Sequence, residues 1–185
     1  MRTQTRLVVA AITLVAAGLP LAVVGLPLAG TVQTETQHEH SPYAHDQSEI
    51  PSLTPDELEQ LRNGDGMGLA KPAELNHFPG PKHVLELAGE LELSPEQRAA
   101  TEAAFAEMQE QARDLGGQII EAERHLNMRF ANAHIDEASL SEATNAIAEL
   151  YGRLRFTHLR AHLRVTELLT PSQIEEYDRL RGYVD

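Results

Sequence analysis

Two five-residue stretches, Leu93-Ser94-Pro95-Glu96-Gln97 and Leu169-Thr170-Pro171-Ser172-Gln173, repeat one pattern at widely separated points of the chain. Each fixes the start of a helix. Ser94 or Thr170 stands at the N-cap, where its hydroxyl accepts from the backbone N–H of the third helical residue. Pro95 or Pro171 takes the first helical position, where a missing N–H costs nothing. Gln97 or Gln173 stands three residues after the cap and reaches back to the cap's own N–H, closing a capping box. Between these starts the residues keep helical time. Phe105, Met108, Ala112, Leu115, Ile119, Ala122 and Leu126 recur at alternating spacings of three and four, as a seam that buries one stripe against a partner helix. Ile147, Leu150, Leu154, His158, Ala161, Val165 and Leu168 form a matching seam. Ala131 to Ile135 makes the turn and Asp136 caps the returning helix. Two rods of ~45–55 Å, at 1.5 Å per residue, joined by so short a loop pack antiparallel.

The paired motif resembles the repeated Leu-Thr-x-x-Gln signature of the Spy/CpxP-type bacterial periplasmic proteins, with Ser94 in place of Thr in the first copy. The likeness covers about residues 83–185. It implies an all-α domain: a long antiparallel helical hairpin with short flanking helices, a four-helix Spy-like fold that dimerises into a curved cradle. It also implies one of two activities, ATP-independent chaperoning or heavy-metal sensing and resistance.

Composition narrows the choice. Aromatic residues make up 4% of the chain and Trp is absent, which suits Ala- and Leu-rich amphipathic helices better than a thick core. A net charge of −13 argues against nucleic acid or an anionic membrane as partner. With no cysteine there is no disulfide, thiolate nucleophile or thiolate metal site. No Gly-rich phosphate loop and no nucleophile–base spacing is present, so the chain does not read as an enzyme.

Arg2 and Arg6 precede a run from Leu7 to Ala29 that carries no charge. Residues 1–30 are read as a signal peptide, cut after Ala17 or Ala29, with an uncleaved membrane anchor over residues 7–29 as the rival. Both place the remainder in the periplasm. Residues 31–52 read as a disordered linker rich in His and acid. There His38, His40 and His45 are either solvated filler or a capture site for Zn, Cu or Ni, which favour imidazole.

Residues 53–82 form a short helical arm with Gly/Pro turns. Thr54 and Glu57 make a third capping box, predicting a helix over Pro55–Arg62, and a second short helix is expected over Pro72–Asn76. The Asn63–Gly68 cluster fails as a calcium loop, since its register puts Leu61 first and Pro72 twelfth. Met67, Leu69, Leu75 and Phe78 are apolar enough to dock the arm on the hairpin. Val84 to Leu91 predicts another short helix, and Pro171 to Arg181 a last one held by Ile174, Tyr177 and Leu180. Gly116-Gly117 interrupts the first long helix and reads as a bend rather than a close crossing.

Function can sit in two places. Phe156, Leu159 and Leu163 form a second apolar stripe beside Arg153, Arg155, Arg160 and Arg164. Such a face suits unfolded client proteins, because arginine pairs with carboxylates and lays its stem along apolar groups. The same arginines could equally pair with glutamates of neighbouring helices. His158 and His162, one turn apart, have metal-ligand spacing but need a third ligand, for which His125 or Glu123 is a candidate. Otherwise His158 is a seam residue and His162 a surface one. The partners expected are a second copy of the chain and either unfolded clients or a membrane sensor, with no cofactor required.

Overall fold

Capping boxes set four of the helix starts. The structure is a computed structural model that describes residues 50–184. Among these residues six helices follow one another: α1 (Pro55–Asn63), α2 (Lys71–Glu74), α3 (Pro81–Glu86), α4 (Pro95–Ala131), α5 (Glu137–Leu168) and α6 (Pro171–Arg181). No strand occurs among them, so the described chain is all-α. Thr54, Ser94, Asp136 and Thr170 each accept from the backbone N–H three residues on, and each cap N–H is returned a side-chain acceptor. The apolar run over residues 7–29 and His38, His40 and His45 lie outside the described residues.

At 37 and 32 residues, α4 and α5 are about 55 and 48 Å long. Their antiparallel pairing shows in the cross-contacts: Gln97 meets Leu168, Glu107 meets Arg164, and Gln111 meets Arg160. The two repeated motifs thereby come together. Gln97 accepts from the Ser94 N–H through Oε1 (3.0 Å) and donates through Nε2 to the Leu168 carbonyl (2.8 Å) and to Gln173 Oε1 (2.8 Å). Gln173 mirrors it, accepting from the Thr170 N–H (2.9 Å) and donating to the Leu91 carbonyl (3.0 Å) and Gln97 Oε1 (3.1 Å). Each amide is oriented by backbone groups of fixed polarity, so the pairing has one arrangement. Glutamate could close either capping box, but it has no N–H for the second role.

Two apolar clusters hold the flanking helices to the hairpin. In the first, Ile50, Leu53, Leu58 and Leu61 pack on Ala112, Leu115, Ile119 and Ile120 of α4 and Leu154 of α5. In the second, Val84 and Leu91 meet Ala104, Val165, Leu169 and Tyr177. Burying a large apolar side chain contributes about 1.5–3 kcal/mol, so both clusters outweigh the poor intrinsic stability of such short helices. Beyond Ile120 and Ile147, residues 121–146 contain no fully buried side chain.

Several expectations shift. The helix expected over Pro72–Asn76 spans Lys71–Glu74, and that expected over Val84–Leu91 spans Pro81–Glu86 with turns to follow. Met67 and Leu69 pack on the first cluster, but Leu75 and Phe78 stay exposed. Ile50, at the end of the expected linker, is fully buried. The Gly116-Gly117 pair is the clearest correction. α4 runs through it as unbroken helix, and a Cβ on Gly116 would stand 2.1 Å from the Leu61 carbonyl oxygen. Gly116 is therefore needed where α1 crosses α4 at backbone distance, while Gly117 faces open space.

These neighbours should respond oppositely to one methyl group. Gly116→Ala forces backbone apart and is expected to cost about 1–3 kcal/mol. Gly117→Ala removes a helix-interior glycine at an open position and is expected to add up to about 1 kcal/mol. Urea denaturation of the two variants checks the pair; equal effects would refute the crossing as the reason for Gly116.

Candidate functional site

The side chains singled out in the sequence fall on opposite sides of α5. On the outer side, Phe156 is 59% exposed and Leu163 52%, with Leu159 half-buried between them. Helical spacing brings Arg153, Phe156, Arg160 and Leu163 onto one face. The arginines divide into two pairs. Arg164 bonds Glu107 across the hairpin at 2.5 Å, and Arg160 donates to Gln111 at 2.7 Å and lies 3.6 Å from Glu107. These bonds hold the Glu107 carboxyl below its usual range, the Arg164 hydrogen bond most of all. Arg153 and Arg155 are exposed and have no ion pair among the described residues. The Arg160 guanidinium sits 5.5 Å from the Phe156 ring centroid, within cation–π range. A shallow depression of about 260 Å³ opens between α4 and α5 beside Asp114, Arg153, Phe156 and Arg160.

The inner side carries the histidines. His158 is 3% exposed and His162 6%, so His162 is not the surface residue expected. The arm covers it. His162 Nδ1 donates to the Phe78 carbonyl at 2.8 Å, which leaves a lone pair on Nε2 of the neutral ring. At Gly80 a Cβ would stand 2.8 Å from His162 Cε1 and 2.9 Å from Glu74 Oε1, so any side chain there must displace the His162 ring and the Glu74 carboxylate. Glu74 is itself occupied, accepting from His83 Nδ1 (2.9 Å) and from the buried Tyr177 hydroxyl (2.7 Å). Burial and that bond push the Tyr177 phenol far up. His77 Nδ1 donates to the buried Asp178 at 2.6 Å. The His158 Nε2 atom is buried and has no partner.

Glu74, His77, His83 and Asp178, and the hydroxyl bond of Tyr177, were missed in the sequence. Their only signal was the density of Gly, Pro and His between Gly66 and His83, because every bond joins residues distant in the chain except that of Glu74 to His83. Together arm and hairpin enclose a cleft of about 560 Å³, with His158, His162, Phe105 and Met108 in its lining.

Within one chain the described residues bring no third ligand to His158 and His162. Among the described residues no three His, Cys, Asp or Glu side chains stand together closely enough to hold an ion. Glu123 is engaged by Ser52 at 2.8 Å, and His125 is exposed. Among the described residues, too, no helix is long and apolar enough to cross a membrane.

The buried imidazole has a consequence for pH. Burial holds His158 below the ordinary value of 6.5; the nearby His162 adds to this and Asp65 opposes it. As pH falls through 6.5 the unfolded chain takes up a proton at His158 that the folded chain resists. The unfolded state then binds more protons, so stability falls with pH. Thermal melts are expected to be flat near pH 7.5 and to drop as the pH falls below 6.5, with His158→Phe flattening that slope. A slope unchanged in His158→Phe would place the effect elsewhere.

A family model described as heavy-metal resistance matches residues 69–176. No curated protein and no solved structure matches the chain. The match takes in most of the cleft lining, both repeated motifs and the whole hairpin, more than half of the sequence. The chain belongs to the heavy-metal resistance family, within the Spy/CpxP-like superfamily of helical proteins.

Proposed function

We propose that this protein is a periplasmic, ATP-independent chaperone that captures unfolded segments on the outer face of α5. One observation carries the reading: Phe156 and Leu163 stand more than half exposed beside Arg153 and Arg155, which have no ion pair among the described residues. Exposed apolar surface rimmed by charge marks an interaction site. Arginine holds carboxylates, aromatic rings and aliphatic stems without fixed geometry, which suits clients of varied sequence. Weak contacts release the client without nucleotide. Export rests on the basic start and uncharged run of residues 1–30, and pairing of two copies would widen the face into a cradle.

Suppression of light scattering by an aggregating denatured client at stoichiometric dose tests this. Phe156→Asp with Leu163→Asp is expected to abolish protection while stability moves by no more than about 0.5 kcal/mol, since both positions are exposed. Arg153→Glu with Arg155→Glu is expected to weaken it, most clearly at low salt. Full protection by the apolar double variant would sink the reading.

A second reading follows the family's description. Heavy-metal binding would use His38, His40 and His45, with His158 and His162 as a weaker pair, for Zn, Cu or Ni. Equilibrium dialysis of the full chain against each ion separates the two sets. The reading requires tight binding that is lost when His38, His40 and His45 become Ala. Affinity no better than that of an unrelated His-containing peptide would exclude it.

A further inference from the structure

The cleft between the arm and the hairpin is separate from the outer face of α5 and does not depend on the chaperone reading. Its volume of about 560 Å³ lies within the range of small-molecule sites. Met67, Leu75, Phe105 and Met108 give it an apolar lining. Polar groups converge on that lining. His158, 97% buried by its 3% exposure, carries an Nε2 with no partner. A buried polar atom without a hydrogen bond is costly unless a bound group satisfies it.

Charge complements this. Lys71, Lys82 and Arg181 border the cleft, and neither lysine has an ion pair among the described residues. Against them stand Asp65 and Glu74, and both Glu74 oxygens are already engaged by His83 and Tyr177. In a chain of net charge −13, an apolar cleft edged by cations is a local exception. A cation would meet those lysines, and an uncharged apolar molecule would leave their charge and the His158 nitrogen unanswered. A metal ion lacks the three donors it needs here.

We propose that this cleft is a binding site for a small amphipathic anion: a carboxylate on an apolar body, such as a medium-chain or aryl carboxylic acid. The apolar body lies against Phe105 and Met108. The carboxylate accepts from the Lys71 and Lys82 ammonium groups, and a small adjustment of the arm brings His158 Nε2–H into reach as a further donor.

Isothermal titration of the full chain with decanoate, and with decanol as the uncharged counterpart, tests the site. EDTA is included so that no trace metal contributes. Decanoate is expected to bind once per chain with sub-millimolar affinity, at least about tenfold tighter than decanol. Lys71→Glu with Lys82→Glu, both exposed, is expected to reduce that preference to near unity. Gly66 borders the cleft and a Cβ there meets nothing within 4 Å, so Gly66→Trp adds bulk at the rim and is expected to weaken or abolish binding. Gly89→Trp, at an open position outside the cleft lining, is expected to bind normally. Phe156→Asp with Leu163→Asp is expected to leave decanoate affinity unchanged, which separates this site from client capture. No saturable binding below the millimolar range, equal affinity for decanol, or undiminished binding in Gly66→Trp would overturn the proposal. So would loss of binding in the outer-face variant.

Discussion

A pair of glutamine amides governs the base of this molecule. Gln97 and Gln173 each close the capping box of their own helix and each donate to a carbonyl outside it, of Leu168 and of Leu91. They then bond each other. Helix starts leave backbone donors without partners, and helix ends leave acceptors. Here one side chain per motif serves a start and another segment's carbonyl at once. The start of α4, the end of α5, the start of α6 and the turn that follows α3 are thereby tied together by two side-chain amides. With the base fixed, Val84, Leu91, Val165 and Tyr177 can pack into the second cluster, and the arm is drawn onto α5.

That docking divides α5 into two chemistries. Its inner side is buried under the arm, where Gly80 permits contact with His162 and where Glu74 ties His83 to Tyr177. Its outer side stays open, with Glu107 holding Arg160 and Arg164 back on the hairpin while Arg153 and Arg155 remain available. One helix thus supplies a polar lining to a cleft and an apolar, cationic face to solvent. The chain's acidity elsewhere makes both features stand out electrostatically.

The hairpin was legible because its signals are local. Capping residues, seam spacing and the Asp136 turn each act within a few residues, and α4, α5 and α6 begin where those signals put them. The arm was legible only in outline. The partners of Glu74, His77 and His162 include Tyr177, Asp178 and Phe78, contacts that no periodicity encodes. Gly116 misled for a related reason: a glycine pair reads as weakness in its own helix, while the cause was the Leu61 carbonyl of another. His162 misled because its cover comes from a segment with no helical pattern over most of its length. Of the expected outer stripe Phe156 and Leu163 are exposed and Leu159 is half-buried, and which arginines glutamate would hold depended on the register between α4 and α5.

The far half of the hairpin is built on a different rule from its base. Past Glu123, where Ser52 still bonds α4, the described residues of the two helices out to the turn carry no fully buried side chain. Reach and binding chemistry are therefore separable properties of this molecule. Matched additions of whole heptads to both rods near the Ala131–Ile135 turn would extend the projection, while the amide junction and the histidine-lined cleft kept their geometry. Evolution or design can adjust how far such a protein extends without reopening the question of what it holds.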